Sequence, residues 1–184
     1  MSSRRGNFHV RKATIDDLDG ILAVQQQSYD VHLVEDAVIF KSILEFGLSY
    51  VAETLIKDTH VIIGFLLAHP SQLDHIYLLH ESPILDSYDP FVFFIHDVSV
   101  LPNYRGRSVG TSLYIKFWRH VKELLRHRTP GHKIVIQIIS VNHSEPFWRS
   151  LGFIKTMNVS MNAIQKLNYG GNCTHMSFVS SYPR

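Results

Sequence analysis

The chain has 184 residues, of which 45% are hydrophobic and 18% charged, and its formal net charge is only +2. This length and composition predict one globular domain over residues 1–184 with a substantial core, and we expect residues 1–6 to be disordered. The longest clean apolar run, Val61–Ala68, is too short for a membrane span of roughly 18 residues. The single cysteine, Cys173, excludes an internal disulfide framework. No apolar signal region follows the basic N-terminus, so we expect a cytoplasmic protein and leave a nuclear location open.

The first half of the chain predicts two helices between strands. Thr14 and Asp17 form a capping-box pattern, which indicates the start of the first helix. The predicted elements are a strand over Phe8–Lys12, helices up to about Ser28 and from about Glu35 to Phe46, and strands over Ser49–Thr54 and His60–His69. The irregular stretch Pro70–Pro90 is bounded by prolines and contains Leu, Ile and Tyr residues, so we expect a packed loop over a substrate site.

The second half opens with an apolar strand, Phe91–Val100, which the polar pair His96 and Asp97 interrupts. The helix that follows is expected to end at residues 129–131. Its predicted buried face comprises Val109, Leu113, Phe117, Val121 and Leu124. Later elements are a strand over Lys133–Ser140, a short helix over Ser144–Leu151, a strand after Phe153, a glycine turn at residues 170–171 and a strand over Thr174–Ser180. The order βααβββαβαββ predicts a mixed α/β fold.

A candidate anion site lies where the apolar strand ends and the long helix begins. The stretch Val98–Leu113 places small residues and two arginines, Arg105 and Arg107, at the mouth of the helix. A helix N-terminus offers unpaired backbone N–H groups and a partial positive charge, and small residues let a phosphate approach them closely. The stretch lacks the lysine of a P-loop and the three glycines of a dinucleotide fingerprint. We expect a cradle for a pyrophosphate.

Two motifs in register give this chain a family resemblance. Arg105-x-x-Ser108-x-Gly110 resembles the Q/R-x-x-G-x-G/A signature of the GNAT acetyltransferase superfamily, with Ser108 at a glycine position, which is tolerable if φ there is negative. Asn142 follows the next predicted strand, and an aromatic residue, Trp148, stands four residues before a Gly-Phe pair, as in that family. The resemblance implies the GNAT fold, with about four helices flanking a mixed, mostly antiparallel sheet that is splayed between its fourth and fifth strands.

The resemblance also implies a site for acetyl-CoA. The backbone of the fourth strand would pair with the pantetheine arm, the helix mouth would bind the pyrophosphate, and Asn142 would reach the pantetheine or the loop nearby. The residues assigned to the cofactor are Val98, Ser99, Val100, Arg105, Gly106, Arg107, Ser108, Val109, Gly110, Thr111, Asn142 and Trp148.

The reaction that the family performs is attack of an amine on the thioester. An alkylamine with a pKa near 10.4 is protonated at neutral pH, so the enzyme must remove a proton before the attack. A histidine suits that task because its pKa lies near the working pH. His96 shares a strand face with Val98 and Val100, and arylalkylamine N-acetyltransferases have a histidine at a similar place. We therefore expect His96 to be the base, with Asp97 or a loop carboxylate assisting. The alternative is a core histidine bonded to backbone.

Two positions depart from the family pattern. Many members carry a catalytic glutamate at the position of Phe94 and a tyrosine acid at the position of Trp148. Neither side chain here exchanges a proton at neutral pH, although an indole N–H can donate a hydrogen bond. Either the thiolate leaves unaided, at a thiol pKa of about 8.5, or Ser144 or Tyr104 donates the proton. Trp148 is equally well interpreted as core packing.

Charge is unevenly distributed along the chain. Asp58 to Tyr104 holds six acids and no lysine or arginine, whereas Arg105 to Lys133 holds eight basic residues and one acid. One interpretation is two solvated faces. The other is a basic pocket for an anionic cofactor beside an acidic pocket for a cationic substrate. The second interpretation fits the reaction that the resemblance implies, so we expect the protein to move an acetyl group from acetyl-CoA to a primary amine of a cationic acceptor.

Two other functions remain open from the sequence. A catalytically silent acyl-CoA-binding module would explain Phe94 and Trp148, and the basic helix after Arg105 could instead form a nucleic-acid surface. We expect acetyl-CoA and an amine acceptor as partners, with no membrane and no nucleic acid, and we leave a homodimer open. His120 and His127 are too far apart on one helix to chelate together, so we expect no metal.

Overall fold

The computed structural model describes residues 7–73, 75, 77–83, 87–127, 132–156, 169 and 173–181. The predictions for residues 1–6 and for the glycine turn at 170–171 lie outside these residues. Residues 129–131, where the long helix was predicted to end, also lie outside them, but that helix already ends at Leu124. The strands are β1 (His9–Lys12), β2 (Tyr50–Ile56), β3 (Thr59–Ser71), β4 (Asp89–Val100), β5 (Lys133–Ser140), β6 (Ile154–Lys155) and β7 (Thr174–Ser181). The helices are α1 (Leu18–Ser28), α2 (Ala37–Glu45), α3 (Val109–Leu124) and α4 (Glu145–Ser150).

The chain divides into two compact units. Unit 1 comprises Met1–Ala68 and Asp97–Arg126, and unit 2 comprises His69–His96 and His127–Arg184. The strand order of the sheet is β1-β2-β3-β4-β5-β7-β6, and the chain passes from one unit to the other within β3 and within β4. The single domain over residues 1–184 stays a prediction.

Unit 1 holds the first three helices and an antiparallel run of strands. β1 pairs with β2 and β2 with β3, with a register shift between Ala52 and Glu53. The predicted capping box is present, because the Thr14 amide donates to the Asp17 carboxylate at 2.8 Å. α1 and α2 bury their apolar faces against this sheet. The resulting core comprises Ala13, Ile21, Val24, Ile39, Phe40, Ile43, Leu44, Val51, Phe65 and Leu67.

Unit 2 contains a parallel pair of strands. β4 pairs with β5 from Val92 to Ile95 only, although β4 continues to Val100. β5 then pairs antiparallel with β7 along its whole length, and β7 pairs with the short β6. The end of the β4–β5 ladder at Ile95 is the predicted splay between the fourth and fifth strands. The predicted fold class is confirmed.

Two details of the fold differ from the sequence predictions. β3 continues through Pro70, and β4 begins before Pro90. A proline lacks only the N–H donor and has a nearly extended φ, so a strand can include it where that donor is not needed. Leu124 was predicted on the buried face of α3, but it is 54% exposed, and Leu125 is buried instead. Leu125 follows Val121 by four residues and therefore lies on the same face of the helix. In the described residues, no helix is long and apolar enough to span a membrane.

Candidate active site

The cradle, which we define as Arg105–Thr111, lies in unit 1 between the end of β4 and the first turn of α3. The Leu101 amide donates to the Ile63 carbonyl at 2.9 Å, and a 3₁₀ turn over Pro102–Tyr104 then reverses the chain. The Arg105 Nε donates back to the Val100 carbonyl at 2.9 Å. An arginine carries five N–H donors, so this bond fixes the guanidinium and uses only one of them.

The backbone of the cradle is left-handed at two positions. Gly106 has φ +72° and Ser108 has φ +63°. The condition we attached to Ser108, a negative φ, is therefore wrong: the turn holds Ser108 in the left-handed region, which favours the glycine of the family signature. A β-carbon added at Gly106 would meet no atom within 4 Å, so the space beside the cradle is open. Ser108 is exposed.

The first turn of α3 presents its amides at this point. The first intrahelical bond runs from the Ser112 amide to the Ser108 carbonyl at 2.9 Å, so the amides of Val109, Gly110 and Thr111 precede the helical ladder. No side-chain hydrogen bond from Ser108 caps them. These amides, the helix dipole and the exposed arginines form an anion-binding arrangement. The Arg107 guanidinium lies over the Tyr104 ring, 5.4 Å from its centroid.

Gly64 on β3 allows β3, the end of β4 and the start of α3 to pack closely. A β-carbon added at Gly64 would stand 2.9 Å from the Ser99 carbonyl oxygen, 3.2 Å from the Val100 side chain and 3.3 Å from the Val109 side chain. Real β-carbons do not approach a carbonyl oxygen so closely, so a side chain at this position would push β4 away from β3. Gly64 therefore sets the distance between β3, the end of β4 and the start of α3.

The last residues of β4 are held by a side chain from α1. The Tyr29 hydroxyl lies 2.5 Å from Asp97 Oδ1 and 3.2 Å from the Val98 carbonyl oxygen. Burial raises the pKa of Tyr29 well above 10, and the carboxylates of Asp97 and Glu35 raise it further. The hydroxyl therefore keeps its proton and donates a hydrogen bond to the Asp97 carboxylate. No sequence signal predicted this contact, because 68 residues separate its two ends.

His96 lies in unit 2, in what we call the ring cluster: His69, His75, Tyr77, Phe94 and His96. The His69 ring centroid is 5.8 Å from that of His96, 5.6 Å from Phe94 and 4.9 Å from Tyr77. His96 is half-buried and follows directly on the last paired residue of the β4–β5 ladder. The sequence singled out His96 and Phe94 but missed His69 and Tyr77.

His69 is a neutral ring inside this cluster. Burial, together with the neighbouring His96 and His75, lowers the pKa of His69 to about 3, and the hydrogen bond to Pro70 opposes this shift. Its Nδ1 lies 2.8 Å from the Pro70 carbonyl oxygen. Because a carbonyl only accepts, Nδ1 carries the proton and Nε2 carries the lone pair. A neutral His69 places no positive charge beside His96 at neutral pH.

The described part of the loop after β3 is packed, as expected. Tyr77 is fully buried. The His75 Nε2 lies 2.6 Å from Glu81 Oε1, and the Gln137 side chain donates to the Leu73 carbonyl at 2.9 Å. The position of this loop over a substrate site stays a prediction.

The second predicted motif lies in unit 2 after β5. Asn142 and His143 have φ +51° and +57°, and the Ser144 amide donates to the Val141 carbonyl at 2.9 Å. Asn142 is exposed. Trp148 is only 5% exposed and packs edge-on against Phe147 and Phe153 at 5.0 and 5.1 Å. These contacts are what the core-packing interpretation of Trp148 predicts, and its role at the cofactor stays a prediction.

Comparison with known families decides the general class. The model of the acetyltransferase (GNAT) family matches residues 18–153, a range that contains the cradle, His96, Asn142 and Trp148. The chain belongs to the GNAT family. Acetyl transfer is therefore its general reaction class. A comparison with curated protein sequences finds no match.

Solved GNAT structures have the same fold. The PaiA N-acetyltransferase of Thermoplasma acidophilum, in complex with coenzyme A, is 13% identical and superposes with a TM-score of 0.61 over 96% of this chain and 99% of its own. The ribosomal-protein-S18-alanine N-acetyltransferase of Escherichia coli is 13% identical, with a TM-score of 0.62 and 96% of each chain covered. The mosquito arylalkylamine N-acetyltransferase-like protein 5b is 15% identical, with a TM-score of 0.63 over 95% of this chain and 100% of its own.

The structure distributes the predicted GNAT site residues over both units. Unit 1 contains Asp97, Val98–Val100 and the cradle, while unit 2 contains His96, Asn142 and Trp148. Within unit 1 the strand end and the cradle are brought together by Gly64 and by the Arg105 bond to Val100. Among the described residues, no group of three or more His, Cys, Asp or Glu side chains is placed to hold a metal ion.

Proposed function

We propose that this GNAT chain moves an acetyl group from acetyl-CoA to a primary amine of a cationic acceptor. The observation that supports this most strongly is the cradle. Two left-handed positions, the open space at Gly106 and the free first-turn amides of α3 occur together at the family signature. In this proposal those amides and Arg105 bind the pyrophosphate, and the backbone of Val98–Val100 pairs with the pantetheine arm.

The proposed chemistry is direct attack of the amine on the thioester carbonyl. His96, or a water bound to it, takes a proton from the ammonium group, and the freed lone pair forms the C–N bond. The carbonyl then re-forms and the C–S bond breaks, and the departing thiolate takes up the second proton that the nitrogen loses, directly or through water. The position of His96 at the end of the β4–β5 ladder supports this role, as does the neutral His69 beside it.

Of the two proposed catalytic residues, His96 and Asp97, Asp97 has the weaker structural support. Successive side chains of a strand point to opposite faces, so Asp97 and His96 leave β4 on different sides. On its own side of the strand, the Asp97 carboxylate accepts a hydrogen bond from the Tyr29 hydroxyl. A direct role of Asp97 in assisting His96 stays a prediction, and an indirect role through the β4 backbone is equally compatible with this contact.

The proposed acceptor is cationic because acidic residues are concentrated in the chain before the cradle. Residues 58–104 hold six acids and no lysine or arginine, which favours a positively charged ligand over an anionic one. The structural neighbours are named for different acceptors, an alanine of a ribosomal protein and an arylalkylamine. These names leave small amines and peptides as classes to be tested.

Thiol release from acetyl-CoA tests the proposal. The acceptor panel comprises a polyamine, an arylalkylamine, an aminoglycoside, a peptide with a free N-terminus and a lysine peptide. We expect turnover with at least one of them, and His96→Ala is expected to lower kcat by about 10² to 10⁴ while coenzyme A binding is kept. His127→Ala, an exposed histidine, is the matched control. Equal kcat values for the two variants would rule out His96 as the base.

One observation favours a second candidate, a catalytically silent acyl-CoA-binding module. The two usual catalytic positions hold Phe94 and Trp148, which are 3% and 5% exposed and packed against other rings. Coenzyme A binding by calorimetry without thiol release from any acceptor would establish this second function. Turnover that depends on His96 would exclude it.

A further inference from the structure

Tyr29 connects α1 to the last residues of β4 in unit 1. It is the residue that ends α1, and its amide still donates to the Gln25 carbonyl at 3.0 Å. Gln25 is itself buried, and its side chain bonds to both backbone groups of Glu35, accepting at 2.5 Å and donating at 3.2 Å. The segment that carries Tyr29 is therefore fixed at both of its ends.

The Tyr29 hydroxyl meets three groups on one short piece of β4. It lies 2.5 Å from the Asp97 carboxylate and 3.2 Å from the Val98 carbonyl, and the Ser99 hydroxyl is a further partner. A phenol that donates to a carboxylate at this distance makes a charge-assisted hydrogen bond, about twice as strong as a neutral one. Asp97 and Ser99 share one face of the strand, so one phenol holds that face.

Residues 97–99 of β4 lie beyond the part of the strand that pairs with β5. The ladder with β5 ends at Ile95. On the other side, the Gly64 region of β3 approaches Ser99, and Leu101 bonds to Ile63. A strand segment that presents its backbone to a ligand instead of to a neighbouring strand requires another support for its conformation.

We propose that Tyr29 is a positioning residue that holds β4 at residues 97–99 in the conformation that binds the pantetheine arm. This inference rests on the proposed function, because it assigns a task to the same cofactor strand. Tyr29 acts through the backbone of Val98 and Ser99 and couples the end of α1 to cofactor affinity.

A role for Tyr29 as a proton donor fits the geometry less well. Its proton is already in a hydrogen bond to Asp97 at 2.5 Å, and burial, together with the carboxylates of Asp97 and Glu35, raises its pKa well above 10. A group of this kind does not give up its proton to a leaving thiolate at neutral pH. The two roles differ in what is measured, since a positioning residue changes KM for acetyl-CoA and a general acid changes kcat and its pH profile.

Tyr29→Phe removes one oxygen atom and tests the proposal in the full chain. We expect the coenzyme A Kd and the KM for acetyl-CoA to rise about tenfold, the usual effect of one hydrogen bond to a charged group. At saturating acetyl-CoA, kcat and its pH profile should stay within about threefold of wild type. Tyr50→Phe is the matched control, because Tyr50 is a mostly buried tyrosine of β2 in the same unit. It should leave both constants unchanged.

Hydrogen exchange supplies a readout that needs neither turnover nor ligand. Amides of residues 97–100 should exchange about tenfold faster in Tyr29→Phe than in wild type, while β1 and β2 stay unchanged. If Tyr29→Phe does not fold, Ser99→Ala removes one partner of the phenol and should give smaller changes of the same sign.

The failures of the two proposals are distinguishable. Unchanged affinity and unchanged exchange in Tyr29→Phe, with a wild type that binds coenzyme A and acetylates an amine, would overturn the positioning role alone. A wild type that does not bind coenzyme A would overturn the proposed function, and with it the cofactor part of the role. A Tyr29→Phe variant that loses kcat with KM unchanged would make Tyr29 a proton donor and overturn the proposal as well.

Discussion

The cradle and the ring cluster are built in opposite ways. The cradle presents its backbone to solvent at Gly106 and Ser108, which are exposed and left-handed, and the Arg105 side chain donates to the Val100 carbonyl. The ring cluster is made of packed side-chain rings around Tyr77 and His69, which are both at 0% exposure, and neighbouring ring centroids lie 4.3 to 6.1 Å apart. The cradle offers backbone N–H donors to a ligand, whereas the ring cluster excludes water from His69.

This difference has a consequence for what each region can tolerate. Backbone donors lose little when a neighbouring side chain changes, so the signature can carry a serine at a glycine position. A buried ring cluster loses packing and changes pKa values when any member changes. We therefore expect changes in the ring cluster to alter stability and its pH dependence, and changes in the cradle to alter cofactor affinity.

The largest expected effect is acid destabilisation. The folded-state pKa of His69 is about 3, and burial lowers the pKa of His175 to about 4, both below the ordinary value of 6.5. Below pH 6.5 the unfolded chain binds protons that the folded chain does not, so stability falls as pH falls toward the folded-state values. Each histidine contributes about 1.4 kcal/mol per pH unit, or about 4 kcal/mol for the two between pH 6 and 4.5.

Urea unfolding at pH 7, 6, 5 and 4.5 measures this slope. His69→Asn keeps an amide donor for the Pro70 carbonyl and removes the titration, so it should remove about half of the slope. The exposed His127→Asn should leave the slope unchanged. Equal slopes for wild type and His69→Asn would show that His69 is not held neutral by burial.

The second prediction truncates the ring cluster. Phe94 is 3% exposed and its ring lies 4.6 Å from Tyr77 and 5.6 Å from His69. Phe94→Ala should lower the free energy of unfolding by about 3 to 5 kcal/mol, because it opens a cavity among rings. Phe91→Ala, on the same strand but stacked on His132 and less buried, should lower it by less. We expect the folded fraction of Phe94→Ala to bind coenzyme A with the wild-type Kd. A higher Kd would show that the ring cluster, and not the cradle alone, determines cofactor affinity.

The sequence predicted most of the elements but few of the contacts between them. Lys133–Ser140 was predicted with the bounds that the structure has, because its run of β-branched residues favours a half-buried or buried strand. The contacts of Tyr29 with Asp97 and of His69 with Tyr77 join distant or irregular segments, and no local pattern encodes them. The φ of Ser108 could not be predicted from the sequence for the same reason. The turn between β4 and α3 sets its left-handed value, whereas serine itself favours a negative φ.

The third prediction concerns the arginine of the cradle. Arg105→Ala removes a guanidinium that is fixed by the Val100 carbonyl and exposed to solvent. We expect the coenzyme A Kd to rise about tenfold and its salt dependence to weaken, because one charged partner of a phosphate is lost. The free energy of unfolding should change by less than about 0.5 kcal/mol. Arg126→Ala, whose exposed guanidinium pairs with Glu123, is the matched control in the same unit. If calorimetry gives the two variants the same Kd, the cradle does not bind the pyrophosphate.

The smallest expected effect is a gain in stability at the cradle itself. Ser108→Gly places the residue that favours φ +63° at this position. The relief of a left-handed serine is worth about 1 kcal/mol, and the greater freedom of glycine in the unfolded chain offsets part of it. We expect a net gain of about 0.5 kcal/mol, or a Tm higher by about 1 to 2 °C. Asn142→Gly, at φ +51° in the other unit, should gain less because asparagine tolerates this conformation better than serine does. If Ser108→Gly raises Tm but weakens coenzyme A binding, the serine hydroxyl donates to the ligand, and the cradle then binds with a side chain as well as with its backbone.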